Sequence, residues 1–339
     1  MLDRVDALSR LHPGLSVDLV FSHDAGGATP LSLALEARGL PAKVVVDPGL
    51  ALDGGYDLVH CIDFPEALER CRDAGLAHVV ECHTAYRENR AYLRSLTGHP
   101  LKVVVPSALF WDEVQAELPA HARDKLALLR NFVPGNDCEP VRLPAWSGRP
   151  LLLFTRMDAH KNPQEFLQAM ALLGTAAPGR FQAVLCGPVS DDLDLPSLIE
   201  SEGLTGSVVC LPPVPFGASA RFLRSMAARG AILVSPSRGE SFGLSVAEAI
   251  GSGLPVVVSD IPAHRHLVGG AASMLYPLGR PQELAERIQA MDLAYGEHVR
   301  QLPALAAAFG PGAFLEDWRR LAQACLPAGR PLFQGTTPS

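Results

Sequence analysis

The chain has 339 residues, more than one domain of ordinary size, and its 48% hydrophobic and 19% charged content is that of globular units with cores of their own, not a disordered or fibrous chain. A net charge of −7 argues against nucleic-acid partners, which favour a basic surface. No apolar run approaches the roughly 20 residues of a membrane helix, and residues 1–14 lack the layout of a secretory signal, so a cytoplasmic protein without an integral membrane span is expected.

The excess acid is uneven: residues 1–145 carry 14 Lys and Arg against 20 Asp and Glu, and the remainder 15 against 16. Seven cysteines, no two separated by two residues, make a zinc site or a redox pair unexpected. Cys61, Cys82, Cys186 and Cys210 lie in apolar runs, where a reduced cysteine packs as a small hydrophobe.

Short β-branched runs alternate with stretches of helical period, the pattern of parallel βαβ units. In the first half the predicted strands are 17–22, 42–46, 58–61, 78–82 and 102–106, with helices at 30–38 and 65–74 between them. Gly26 and Gly27 lie between the first strand and its helix, as a simple turn or as a loop that lets a ligand approach the backbone. His83 follows the fourth strand, where one histidine is either structural or part of a site. The stretch at 139–150, EPVRLPAWSGRP, has prolines, a glycine and no period, so it reads as a linker with a boundary near 145.

A second series of strands is predicted at 150–155, 181–186, 208–211, 231–235 and 255–259, giving two doubly wound sheets: a domain at 1–145 and a domain at 146–311. A terminal helix at 312–327 follows, expected to cross back to the first domain, and then a loose tail at 328–339. In LLLFTRMDAHKNPQEFLQAMALL, Arg156 follows a strand end and Lys161 comes just before a helix, an arrangement that can place two cations on a diphosphate. Asp192 and Asp194, in PVSDDLDLPS, read as solvated loop residues and not as a metal motif.

The segment SRGESFGLSVAEAIGSGLPVVVSD carries the most chemistry. A strand ending at Ser235 runs through Gly239 into a helix predicted at 242–250, so the helix aims free N–H groups and the positive end of its dipole at the carboxyl edge of the sheet. Glu240 lies at the mouth of that helix and Glu248 about two turns along it, so the two can grip different parts of one elongated ligand. As a bland pair they would only favour the helix start and face water, but Glu248 stands among Val246, Ala247, Ala249 and Ile250.

PSRGESFGLSVAEAIGSGLPVVVSDIPAHRHLV resembles the E-x7-E region of the family 4 retaining glycosyltransferases, and the Arg156–Lys161 segment resembles that family's strand, Arg, loop, Lys and helix. The resemblance implies the GT-B fold, two facing Rossmann-like domains, and front-face transfer of a sugar from a nucleotide-diphosphate sugar to the hydroxyl of a small-molecule or glycan acceptor. It implies no cofactor and no metal. Glu240 would contact the sugar and Glu248 the ribose, while the backbone at Ser241, Phe242, Gly243 and Leu244 would approach the sugar and diphosphate. Arg156 and Lys161 would stabilise the leaving group, His83 would lie near the donor sugar, and Gly26 and Gly27 would border the cleft. His264 and His266 flank Arg265 in DIPAHRHLV, where the family more often has a glutamate near the second histidine. A GT-B phosphorylase or epimerase, and a non-catalytic sugar-nucleotide-binding subunit, are the alternatives.

Overall fold

The structure is a computed structural model in which residues 1–52, 55–135, 138–215 and 217–326 are described. The tail expected at 328–339 lies outside them. The chain divides into two compact units, one of Met1–Phe132 together with the chain from Pro311 on, the other of Val133–Gly310. The division falls ahead of the expected boundary near 145. Val133, Leu143 and Trp146 pack on the core of the second unit, so apolar anchors draw the proline-rich stretch into that unit.

The first unit runs α1 (Leu2–Leu11), β1 (Val17–Phe21), α2 (Ala28–Ala37), β2 (Ala42–Val46), β3 (Val59–Ile62), α3 (Pro65–Asp73), β4 (His78–Glu81), β5 (Val103–Val105), α4 (Trp111–Glu117) and β6 (Leu126–Leu128). All its strand pairs are parallel, but they form two sheets among the described residues, β1 with β2 and β3-β4-β5-β6, where one sheet was expected. Burial accounts for the split. Leu19 of β1 packs with Leu2, Val5, Leu31 and Leu35 in a small cluster of its own, whereas β4 and β5 are buried along their whole length. Strand β6 escaped the sequence pattern because three residues, LAL, show no period.

The second unit runs β7 (Arg149–Phe154), α5 (Pro163–Ala176), β8 (Phe181–Cys186), α6 (Leu195–Ser201), β9 (Val208–Leu211), α7 (Ser219–Ala228), β10 (Ile232–Ser235), α8 (Leu244–Gly251), β11 (Val256–Ser259), α9 (Pro262–Leu267), β12 (Leu275–Tyr276), α10 (Pro281–Leu293) and α11 (Tyr295–Ala307). Its six strands are parallel in the order β12-β11-β10-β7-β8-β9. The central strands are apolar throughout because helices cover both faces. From β7 the connections run one way through β8 and β9, and from β10 the other way through β11 and β12. That reversal opens a crevice at the carboxyl ends of β7 and β10, the place where doubly wound sheets bind ligands. Cys210 is exposed, not packed as expected, because β9 is the edge strand.

The chain then enters α12 (Pro311–Cys325), which belongs to the first unit. Phe314 packs on Phe132 with ring centroids 4.8 Å apart, and buried Asp317 takes Nε of Arg130 at 2.7 Å and Nη2 at 2.8 Å.

In the second unit the ends of β7 and β8 meet backbone to backbone: Thr155 N donates to Cys186 O at 3.2 Å and Met157 N to Pro188 O at 2.7 Å. Gly187 sits in that contact at φ +145°, and a Cβ there would strike the Thr155 carbonyl. We expect Gly187→Ala to destabilise the second unit by ~2 kcal/mol or more. Gly174→Ala, in an exposed helical position with open space around it, should stabilise by up to ~1 kcal/mol. Thermal denaturation of both variants checks the contrast.

Candidate functional site

Two loops leave the carboxyl ends of β7 and β10, and each is folded by its own polar side chains. In the first, the buried carboxylate of Asp158 accepts from Lys161 N at 2.8 Å and His160 N at 3.0 Å, a local turn that aspartate favours. The same side chain takes Arg156 Nε at 2.7 Å, so Arg156 stays half exposed at the strand end. Asn162, in the left-handed conformation before Pro163, starts α5; its Nδ2 reaches Pro236 O at 3.3 Å. Glu165, also buried, accepts from Gly279 N at 2.7 Å and Arg280 N at 3.0 Å, tying the loop after β12 to α5.

The second loop is stitched to the first. Arg238 N donates to His160 O at 2.9 Å, and His160 Nε2 meets Gly239 O at 2.7 Å. Lys161 Nζ reaches Glu240 Oε1 at 2.6 Å, with the side chains only 18% and 12% exposed. Partial burial shields this pair from the salt and water that weaken surface ion pairs. Gly243 caps α8 at φ +90°, and a Cβ there would come within 3.1 Å of Leu267. The helix therefore starts at Leu244, two residues later than the sequence suggested; its first bonds run from Val246 N and Ala247 N to Gly243 O, so the amides of Leu244 and Ser245 come ahead of the helical ladder. Phe242 turns its ring into the core, edge-on to Phe309 at 6.5 Å, which leaves its backbone at the strand end. Ser241 is half-buried beside it. Glu248 is half-buried too, on the face it shares with Leu244 and Ser245, while Val246, Ala247, Ala249 and Ile250 are buried.

Beneath the loops lies His264 of α9, which has no exposure. Its Nδ1 lies 3.1 Å from Ser259 O, which can only accept, so Nδ1 carries the proton and Nε2 accepts from Ser235 Oγ at 3.4 Å. Ser259 Oγ donates to Ser237 O at 2.6 Å, pinning the loop ahead of Glu240. Burial pushes His264 down to about 4; the Glu240 carboxylate and the Ser259 backbone pull upward, and the Lys161 ammonium adds to the lowering. The imidazole is neutral at pH 7.

The structure thus joins Lys161 and Glu240 directly and brings Arg156, Ser241, Phe242, Gly243, Leu244 and Glu248 to the same two strand ends and helix. His83, Gly26 and Gly27 belong to the first unit. There the carboxylate of Asp24 accepts from Gly26 N at 2.8 Å and Ala28 N at 3.0 Å, so the start of α2 already has its anion. Asp192 and Asp194 are exposed, as expected, and Asp194 also serves as the N-cap of α6, accepting from Ser197 N at 3.1 Å. Sequence reasoning passed over Asp158, Asn162, Glu165 and His264. Signals existed for two of them: an aspartate two and three residues ahead of the amides it caps, and an Asn-Pro at a helix start. Among the described residues, no group of three or more His, Cys, Asp or Glu side chains could hold a metal ion. None of the described helices is long and apolar enough to cross a membrane.

Residues 148–291 match the model of the family described as "Glycosyl transferases group 1". A curated relative named D-inositol 3-phosphate glycosyltransferase, from Nocardia farcinica, is 32% identical over 322 residues, covering 85% of this chain and 69% of its own length. The GDP-mannose-dependent alpha-mannosyltransferase of Mycolicibacterium smegmatis is 28% identical over 76% of this chain and 68% of its own. Against two other inositol 3-phosphate glycosyltransferases, of Arthrobacter and Paenarthrobacter aurescens, the match spans only 35% and 44% of their length. Among solved structures, Anabaena HepE in complex with UDP and glucose superposes with a TM-score of 0.73 at 16% identity, covering 95% of this chain and 94% of that one. Sucrose-phosphate synthase of Thermosynechococcus elongatus follows with a TM-score of 0.65 at 19% identity, over 80% and 74%. At such identities the likeness is one of fold, and the fold is GT-B.

His264 makes the second unit sensitive to acid in a definite sense. Its native pKa, about 4, lies below the ordinary imidazole value near 6.5, so below 6.5 the unfolded chain binds a proton that the native one refuses. Its contribution is whole above about pH 6.5 and is lost as pH falls toward 4. His264→Asn keeps a donor for Ser259 O and has nothing to titrate there. Melting curves across that range should show a smaller acid-dependent drop for the variant than for the wild type; parallel curves would contradict the assignment.

Proposed function

Because the chain belongs to the group 1 glycosyl transferases, we propose that it is a cytoplasmic, metal-independent enzyme that transfers a sugar, with retention, from a nucleotide-diphosphate sugar to an acceptor hydroxyl. The observation that carries the reading is the Lys161–Glu240 contact at the carboxyl ends of β7 and β10, in front of the first turn of α8. There a cation, a hydrogen-bonding carboxylate and a helix N-terminus converge, which suits a diphosphate joined to a polyhydroxylated ring.

In this reading Lys161, Arg156 and the α8 amides take the negative charge that grows on the diphosphate as the bond from C1 to its oxygen breaks. A diphosphate arriving at Lys161 frees Glu240 to accept from sugar hydroxyls. The backbone from Ser241 to Leu244 lines the sugar and phosphates, and Glu248, farther along α8, holds the ribose. The acceptor oxygen bonds to C1 on the face the leaving group vacates, and its proton passes to the departing phosphate oxygen. No residue is needed as a nucleophile and no cofactor is called for. His83, with Gly26 and Gly27, is the first unit's proposed contribution on the sugar side.

The two glutamates should fail differently. Glu248→Ala removes a contact made equally before and during reaction, so calorimetry should show weakened nucleoside-diphosphate binding. Glu240→Ala should leave that affinity nearly unchanged and slow turnover about a hundredfold, or ~2.7 kcal/mol, with the product keeping the donor's anomeric configuration. Equal affinity losses in the two variants would reject the division of roles.

A further inference from the structure

Where β4 ends in the first unit, a carboxylate with no solvent exposure, Glu81, gathers three donors. Its Oε2 takes Arg4 Nη1 at 2.7 Å and His83 Nε2 at 2.9 Å, and its Oε1 takes His60 Nδ1. Arg4 is itself held by Asn131 Oδ1 at 3.1 Å, and His60 stacks on Trp318 with centroids 5.5 Å apart. Burial pushes Glu81 upward, but Arg4, His60 and His83 together outweigh it and hold the carboxyl well below the usual carboxylate range.

An ionised carboxylate only accepts, so the proton at that contact is on His83 Nε2. In the neutral ring Nδ1 is then a bare acceptor. The side chain is 22% exposed, and Nδ1 has no hydrogen-bond partner among the described residues. The backbone is fixed as firmly as the ring, since His83 N donates to both oxygens of Asp63, at 3.0 and 3.1 Å, and Asp63 is held at φ +46°.

We propose that Glu81, anchored by Arg4 and His60, is the positioning residue of His83, keeping the ring protonated on Nε2 so that Nδ1 faces outward as the acceptor for a substrate hydroxyl. The proposal rests on the reading of His83 as the sugar-side histidine. Glu81 itself touches no substrate and acts only through the ring. Arg4 explains how a carboxylate can be kept ionised there without drawing its charge from the substrate.

The test begins with the full-length wild-type chain, labelled with ¹⁵N at histidine, at a pH about two units above the ordinary imidazole value of 6.5. The His83 resonances, identified by their loss in His83→Gln, should show hydrogen on Nε2 and a bare Nδ1; hydrogen on Nδ1 would overturn the proposal without any variant. The double variant Arg4→Met, Glu81→Met removes both charges together, a change that buried pairs tolerate far better than loss of one partner. It should give mixed His83 tautomers and at least tenfold lower turnover, with nucleoside-diphosphate affinity unchanged. Arg4→Lys, which retains the charge, should stay close to wild type in both readouts. A double variant with the wild-type tautomer and turnover would overturn the proposal. Failure of the functional reading looks different: no sugar nucleotide is turned over, while the tautomer measurement still gives its own answer.

Discussion

The second unit depends on the adjacency of β7 and β10, parallel neighbours from which the chain departs in opposite directions. Every other pair of neighbours in that sheet is bridged by a helix that crosses from one strand to the next. Between these two the helices diverge, and the backbone ends, the loop amides and the start of α8 face one opening. The chemistry follows from what the two loops place there, and the backbone contact of Thr155 with Cys186 and the fit of Gly187 keep the first of those loops from moving.

A cation and a carboxylate set close together in partly dry surroundings need rigid supports, or they would turn outward to water. The supports here are polar and buried, and their hydrogen bonds are made. Asp158 caps the backbone that carries Lys161, and His264 with Ser259 and Ser237 holds the backbone that carries Glu240. Glu165 extends the same support to the loop after β12. The neutral imidazole of His264 is part of that logic, because a second positive charge beneath Lys161 would compete with it for Glu240. The first unit repeats the pattern at the end of β4, where Arg4 and two histidines make the burial of Glu81 tolerable.

Much of this was legible in residue order. The run at 181–186 matches β8 to the residue because Ala183–Cys186 are buried and apolar, and the run at 208–211 matches β9 although it is the edge strand, because Val208 and Val209 are β-branched. Glu240, Lys161 and the α8 turn were findable because glycines, strand and helix agree within a short stretch. Contacts between distant segments were not. Arg4 meets Glu81 across 77 positions and Lys161 meets Glu240 across 79, and neither alternation nor helical period registers such pairs. The division of the first unit's strands into two sheets was hidden for a similar reason, since it turns on which cluster Leu19 joins. Strand β12, only Leu275–Tyr276, is too short to show a period at all.

The central claim is that a diphosphate belongs at the carboxyl ends of β7 and β10. A crystal structure of the full chain with a nucleoside diphosphate tests it most directly. The account predicts phosphate oxygens within hydrogen-bond distance of Lys161 Nζ and of the amides at Gly243 to Ser245, with the Lys161–Glu240 contact opened. A diphosphate seated instead on the glycine loop of the first unit, with Lys161 still paired to Glu240, would contradict it.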